Sequence, residues 1–431
     1  MKGRILYFSY FYPPLAGPAV LCNLKTVKYL TFAGWEVDVV TISDIQYLLK
    51  EKTLLSETRQ NSIIRTSSID PGAILKRISS VTGKDTRGIY LNTSEGIKRF
   101  FRGICPLDEK VGWVPFAYAA GLRACRQKRY DLLYVACQPF SAALAVYYLS
   151  KVTGIPYVLD MDDYWTLLRD YAQFITPLHR LFAKHWEMRF LERASLIAYC
   201  TGDSIHETCA TFGEHLREKM ITVYNGWDEE DFTALPDTEP ERDIISFSYF
   251  GNLSGKRNFR NLFTAFRNLR QAGKLPTNVR IRLFGNYFAQ YLREISESGI
   301  TDIIEHIPHL PHRQALTEMM RSTVLVIILN ASVNSGVVPS KSFEYLRTGR
   351  HILALTPHGF EMTHILHDSG HDYTCPMESV AAIEHQILRI LSDLEAGLKR
   401  AYQIPWQYER KTQIALLDKA LENLRQETTP V

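Results

Sequence analysis

Short apolar runs alternate with longer amphipathic stretches along this chain, and the alternation occurs twice. Such a pattern builds parallel sheets, because parallel strands need crossover connections and helices usually supply them. In the first series, 4–9 (RILYFS) reads as a buried strand. A turn with Pro13, Pro14 and Gly17 follows, and then Leu21, Leu24, Val27 and Leu30 share one helical face, with Gly34 as a stop. The second strand is 36–42 (EVDVVTI). Residues 131–136 and 156–160 are further strands, separated by a helix that ends at Gly154. A long helix over 177–194, the strand SLIAYC, the helix SIHETCATF and the strand MITVYNG complete the series.

Residues 233–243 (TALPDTEPERD) are polar, lack periodicity and hold two prolines, which marks a linker. The alternation then restarts with the strands IISFSYFG, VRIRLFG, DIIEHI, TVLVIILN and RHILAL, and a helix over about 407–426 closes the chain. The expected fold is α/β with two Rossmann-like doubly wound domains. The first covers 1–235, with an irregular basic insertion over about 43–110, and the second covers 244–405. The segment 406–431 would be a helix returning to the first domain. Ligands of such folds bind beyond the carboxyl ends of the strands. Two domains facing across a cleft would put the active site there.

The 431 residues suffice for two domains, and 46% hydrophobic with 22% charged residues excludes a wholly disordered chain. Fifty Lys+Arg against 46 Asp+Glu leave a net charge of +4, which carries no nucleic-acid signature, so no nucleic-acid partner is expected. Seven cysteines without CxxC spacing argue against a disulfide framework or zinc ribbon and for a reducing compartment. No signal peptide and no run of eighteen apolar residues is seen, so a cytoplasmic location is expected, and the sequons at Asn92, Asn252 and Asn330 read as chance matches. Lys76, Arg77, Lys84, Arg87, Lys98, Arg99 and Arg102 are interleaved with apolar residues. Such a stretch reads as a solvated insertion or as peripheral contact with an anionic membrane.

Four tracts carry candidate chemistry. Gly17 lies in a loop of small residues that opens a helix, where backbone amides and the helix dipole favour anions. Gly251, Asn252, Lys256 and Arg257 form a glycine-bearing loop with two cations at a helix entry, suited to a diphosphate. This is neither a Walker A loop nor a dinucleotide fingerprint. In the third tract, Ser335, Gly336, Val337 and Val338 precede a helix with Ser340 as N-cap. Lys341 stands in its first turn, against the dipole, which an anionic ligand would explain. Glu344 shares its face and suits ribose hydroxyls or an intrahelical ion pair. The fourth tract is Asp160, Asp162 and Asp163, three carboxylates at a strand's carboxyl end, suited to acid–base work or to Mg²⁺ or Mn²⁺. No second acidic cluster is evident, so no metal is assigned. His306, His309 and His312 read as a loop after a strand, because Pro308 and Pro311 exclude a regular helix that would align them on zinc.

These tracts resemble glycosyltransferase family 4, of the two-Rossmann GT-B fold. The likeness runs through FSYFYPPLAGPA, GIPYVLDMDDYW, VYNGWDEEDF, SYFGNLSGKRN, VRIRLFG and VPSKSFEYLRTGRHILAL, in order, over about residues 4–425. The resemblance implies retaining transfer of a sugar from a UDP- or GDP-type nucleotide-diphosphate sugar, with no obligatory cofactor, to a glycan or lipid-linked acceptor in surface polysaccharide or glycoconjugate biosynthesis. It implies that the second domain binds the donor and the first the acceptor. Lys256 would meet the diphosphate and Glu344 the ribose. Lys341 and the amides of 335–338 would lie near phosphate and sugar, and Gly17 would mark a loop contacting donor phosphate or acceptor. Asp162, Asp163 and Lys256 would form the catalytic set. The family's Glu-(seven residues)-Glu motif places a carboxylate at 336, where this chain has Gly336, and Asp162 stands where many members have His or Arg. The rival readings are a non-catalytic sugar-binding or scaffold relative, and a nucleotide-sugar epimerase that needs no acceptor.

Overall fold

The computed structural model describes residues 2–43, 45, 50–74, 77, 105, 107–169, 174, 176–236, 238–253, 256–397 and 402–428. The chain forms two compact units. One comprises Met1–Leu168, Ala172–Asn225 and Arg410–Val431, and the other comprises Arg169–Tyr171 and Gly226–Glu409. The chain passes between them at 168/169, 171/172, 225/226 and 409/410, so the polar stretch 233–243 lies inside the second unit.

The first unit holds a seven-stranded sheet: β1 (Gly3–Phe8), β2 (Trp35–Ile42), β3 (Ser62–Thr66), β4 (Leu132–Cys137), β5 (Tyr157–Met161), β6 (Leu196–Tyr199) and β7 (Met220–Thr222). Their spatial order is 3-2-1-4-5-6-7, and every pairing is parallel. The central strands are apolar throughout because helices cover both faces, so Ile5, Leu6, Leu132, Val135 and Val158 are fully buried. Part of the expected insertion is corrected here, since 62–66 pairs with β2 as edge strand β3. Its mixed sequence, SIIRT, is only partly buried, which hid it among irregular residues. Lys76, Lys84, Arg87, Lys98, Arg99 and Arg102 lie outside the described residues.

The second unit holds six parallel strands: β8 (Ile245–Phe250), β9 (Val279–Phe284), β10 (Ile304–Ile307), β11 (Val324–Ile328), β12 (His351–Leu355) and β13 (Thr374–Cys375), in the order 10-9-8-11-12-13. In both sheets the order reverses beside the first strand of the unit, which is the doubly wound topology.

The terminal helix Arg410–Thr428 belongs to the first unit. Ile414, Leu417, Leu421 and Leu424 recur at helical spacing and are buried, each worth about 1.5–3 kcal/mol relative to exposure. Asp418 on the same helix accepts from Lys2 Nζ at 2.6 Å and from Trp35 Nε1 at 2.8 Å. The helix thus packs against the helix Pro18–Phe32 and the amino ends of β1 and β2.

Candidate functional site

The carboxyl end of β8 is shaped by two glycines. Gly251 follows the strand with φ 105°, a conformation that other residues rarely adopt. Its amide donates to the Phe284 carbonyl at 2.7 Å. A Cβ on Gly285, after β9, would lie 2.7 Å from the Gly251 carbonyl oxygen, so the two loops touch through bare backbone. Asn252 joins them, its Oδ1 accepting from the Asn286 amide at 3.0 Å.

Lys341 reaches this loop from the helix Lys341–Thr348. Its ammonium donates to the Phe250 carbonyl and stands 3.7 Å from the centroid of the Tyr249 ring. A Cβ on Gly251 would come within 3.2 Å of Lys341 Nζ, so glycine also makes room for the cation. Burial pushes the Lys341 ammonium well below its ordinary pKa, Arg257 nearby adds repulsion, and only Glu344 opposes them. A lysine in that condition is favourably completed by an anion.

The supporting helix is held by two further contacts. The Phe250 amide donates to Tyr345 Oη at 3.0 Å. Arg347 binds Glu229 with two donors, at 2.5 and 2.6 Å, the fork geometry that fixes orientation. Ser340 occupies the N-cap position, but its φ and ψ are already helical and its side chain makes no capping bond, which corrects that detail of the sequence reading. A helical backbone there turns the hydroxyl away from the amides it would cap.

Glu344 lies within reach of His312, at 2.7 Å from Oε1 to Nε2. Both side chains are about one-fifth exposed, enough for a ligand to touch the carboxylate. The three histidines diverge. His306 meets the Gly285 carbonyl at 2.9 Å, the His309 amide donates to Asn286 Oδ1 at 3.3 Å, and only His312 faces Glu344. No group of three or more His, Cys, Asp or Glu able to hold a metal occurs among the described residues. Lys256 is exposed, and its carbonyl accepts from Asn258 Nδ2 at 3.0 Å. In the tract before the helix, Gly336 is buried while Ser335, Val337 and Val338 are half-buried. The Val337 amide closes a turn on the Asn334 carbonyl at 3.1 Å, and the Ser335 carbonyl accepts from the Glu361 amide at 3.2 Å.

The first unit gathers the acidic tract at the carboxyl end of β5. Tyr134 donates to Asp160 Oδ2 at 2.6 Å and stacks on Tyr7, with ring centroids 4.6 Å apart. Tyr7 in turn donates to Asn23 Oδ1 at 3.0 Å. Burial raises the Asp160 carboxyl above its ordinary pKa, with Tyr134 and Arg410 opposing. The Asp162 carboxyl is raised well above it by burial and by Asp160, against Arg410. Asp163 accepts from Gln138 Nε2 at 2.5 Å. Gln138, just past β4, has φ 101° and is the one positive-φ residue other than glycine among the described residues. Gly17 caps the helix Pro18–Phe32 with φ 129°, and a Cβ there would meet nothing within 4 Å, so its face of the loop is open. Gly285 and Gln138 were passed over in the sequence, and His312 read there as a loop residue and not as a partner of Glu344. Their roles come from contacts between segments far apart in sequence, and no local pattern signals them.

No protein-family model and no curated protein sequence matches this chain. Solved structures do. Sucrose-phosphate synthase from Thermosynechococcus elongatus matches with TM-score 0.67 and 13% identity, covering 99% of this chain and 100% of that one. Anabaena HepE, solved in complex with UDP and glucose, matches with TM-score 0.58 and 13% identity over 99% and 98% of the two chains. A putative UDP-N-acetylglucosamine 2-epimerase from Listeria monocytogenes matches with TM-score 0.60 and 12% identity over 100% and 98%. Together with the two parallel sheets and the terminal helix on the first unit, these likenesses make the fold GT-B.

Proposed function

We propose that the protein is a retaining glycosyltransferase of the family 4 type. It takes a sugar from a UDP- or GDP-linked donor to a glycan or lipid-linked acceptor, at the cytoplasmic side of surface polysaccharide or glycoconjugate biosynthesis. The observation that carries this reading is the Lys341 ammonium, half-buried near a second cation at the glycine-lined carboxyl end of β8. A diphosphate supplies the charge that this site lacks. The likeness in fold to HepE, which was solved with UDP and glucose, supports the same ligand class.

In this reading Arg257, Lys256 and Lys341 hold the diphosphate, and Glu344, steadied by His312, accepts from the ribose hydroxyls. Gly251, Asn252 and the tract 335–338 line the donor. Breaking the bond from the anomeric carbon to phosphate oxygen leaves positive character on the sugar and an extra negative charge on the departing diphosphate. Preorganised cations stabilise that developing charge. Gly17 marks the loop contacting the donor phosphate or the acceptor, and Asp162 and Asp163 join Lys256 as the catalytic set, with Gln138 fixing the Asp163 carboxylate. The donor's own phosphate oxygen receives the acceptor proton, in keeping with retention.

The test is a thermal-shift titration with UDP and GDP on the wild type and on Lys341→Met. A nucleoside diphosphate at a hundred times its Kd stabilises by about 2.7 kcal/mol. The expected result is a shift in the wild type with at least one of the two, and its loss in the variant. The reading fails if neither nucleotide shifts the wild type, or if Lys341→Met responds equally. The fold likeness to the Listeria protein supports a second reading, a nucleotide-sugar epimerase. Interconversion of a nucleotide sugar without any acceptor would select it.

A further inference from the structure

The helix Pro177–Arg193 divides its residues in an unusual way. Ala183, Glu187, Phe190 and Leu191 face the core. On the opposite side Leu178, Leu181 and Phe182 are 77%, 65% and 44% exposed. At 100° per residue these three fall within about 100° of one another, so they form one outward stripe. The neighbouring helix Ala142–Thr153 adds Tyr148 and Val152, 43% and 65% exposed. Trp186 ties the two helices together, with its ring 6.2 Å from Tyr148 and 6.5 Å from Phe182. Five of the large exposed apolar side chains of the described residues thus share one face of the first unit. Single exposed apolar residues need no explanation, but a contiguous patch does.

The charges around this patch are one-sided. Lys151, Lys184, Arg189 and Arg193 are exposed on the same two helices, while Arg180 turns to the other side and donates to the Thr166 carbonyl at 3.1 Å. Glu192 is the sole exposed carboxylate on them, and it already binds His215 at 2.8 Å. The charged heads of Lys184 and Arg189 lie over aromatic rings, Nζ 5.4 Å from Phe212 and Cζ 5.8 Å from Trp186, so both cations border the apolar surface. An apolar stripe with aromatic flanks and a cationic rim is the pattern of a helix that lies in a membrane interface. No helix among the described residues is long and apolar enough to cross a membrane, so the contact is peripheral.

We infer that this face, centred on Leu178, Leu181, Phe182 and Tyr148 and rimmed by Lys151, Lys184 and Arg189, docks on an anionic lipid surface. The cationic rim selects lipid over a second copy of this chain, since the same rim would repel itself across a two-fold interface. The inference stands on exposure and charge alone and does not depend on donor binding.

The experiment is co-sedimentation of the full chain with vesicles of phosphatidylcholine alone and with phosphatidylcholine containing about one-third phosphatidylglycerol, at low and high salt. The wild type is expected to bind the mixed vesicles, to bind pure phosphatidylcholine weakly, and to release in high salt. The Leu181→Glu/Phe182→Glu double variant is expected to lose about fivefold or more in bound fraction. Phe32→Glu, at a 57% exposed position on another helix, is the control and is expected to bind as the wild type does. Matching unfolding curves establish that both variants fold. Absent wild-type binding overturns the inference, as does equal binding by the double variant, which would locate the contact elsewhere. Self-association of the wild type that Leu181→Glu/Phe182→Glu abolishes, without any vesicle binding, would assign the face to a second copy and overturn it too.

Discussion

Glu187 sits 2% exposed on the helix Pro177–Arg193, with Oε2 accepting from the Thr166 amide at 3.2 Å and from the Thr166 hydroxyl. Burial pushes its pKa from 4.5 up to about 7, and the Thr166 bonds and Lys184 only partly offset that. The consequence for stability has a definite sign. Below about 4.5 the carboxyl is neutral in folded and unfolded chains alike. Between there and 7 the unfolded chain ionises while the folded one keeps its proton, so stability falls as pH rises. Above 7 the full penalty stands, about 3 kcal/mol at about 1.4 kcal/mol per pH unit. Glu187→Gln removes the ionisation and keeps a carbonyl oxygen for Thr166. It is expected to match the wild type near pH 4.5 and to exceed it by about 1–3 kcal/mol at pH 8. The assay is denaturant unfolding across that range, read by tryptophan fluorescence, since Trp186 lies on this helix and Trp165 stacks on its Phe190. A Glu187→Gln effect that is the same at both ends of the range would refute the reasoning, as would a loss of stability confined to pH 8.

Two further substitutions probe the sites. Arg410 is 5% exposed and donates to the Tyr224, Asn225 and Cys22 carbonyls and to Thr26 Oγ1, while opposing the Asp160 and Asp162 charges. Arg410→Met should cost about 3–5 kcal/mol in calorimetric unfolding of the first unit, and a loss below about 1 kcal/mol would show that the network is not cooperative. Gly285→Ala drives a methyl to 2.7 Å from the Gly251 carbonyl oxygen. Relieving that overlap costs about 1–3 kcal/mol, so UDP or GDP affinity by calorimetry should drop about tenfold or more, and unchanged affinity would mean that the paired loops do not shape the donor site.

The strands were legible wherever helices cover both sheet faces, because burial on both sides demands continuous apolar runs such as LLYVA and VLVII. Legibility failed where burial is one-sided or the contacts are small. Ser62–Thr66 is an edge strand of mixed character. The helix Val114–Gln127 buries only Ala117, Gly121 and Ala124, and a Cβ on Gly121 would lie 2.6 Å from Phe8 and 2.7 Å from Leu149. Its packing is close backbone approach, which a search for large apolar residues passes over. The strand Thr374–Cys375 has two residues, too few for any period.

The candidate site was half visible for a different reason. Lys341 attracted notice because a cation in a helix's first turn opposes the local dipole, and that conflict lies within a few residues of sequence. What surrounds it does not. Tyr249 precedes it by 92 positions, Arg257 by 84 and His312 by 29, and parallel topology alone brings their segments to the same strand ends. The unfavourable terms also converge there: a desolvated ammonium, a second cation, and a helix end of the same sign. Such a cluster lowers the stability of the empty unit and rewards any dianion that enters, so part of the binding free energy is relief of repulsion built in by folding. Lys341→Met should therefore leave the empty second unit at least as stable as the wild type while abolishing its response to UDP and GDP. A variant that lost stability and nucleotide response together would instead mark Lys341 as structural.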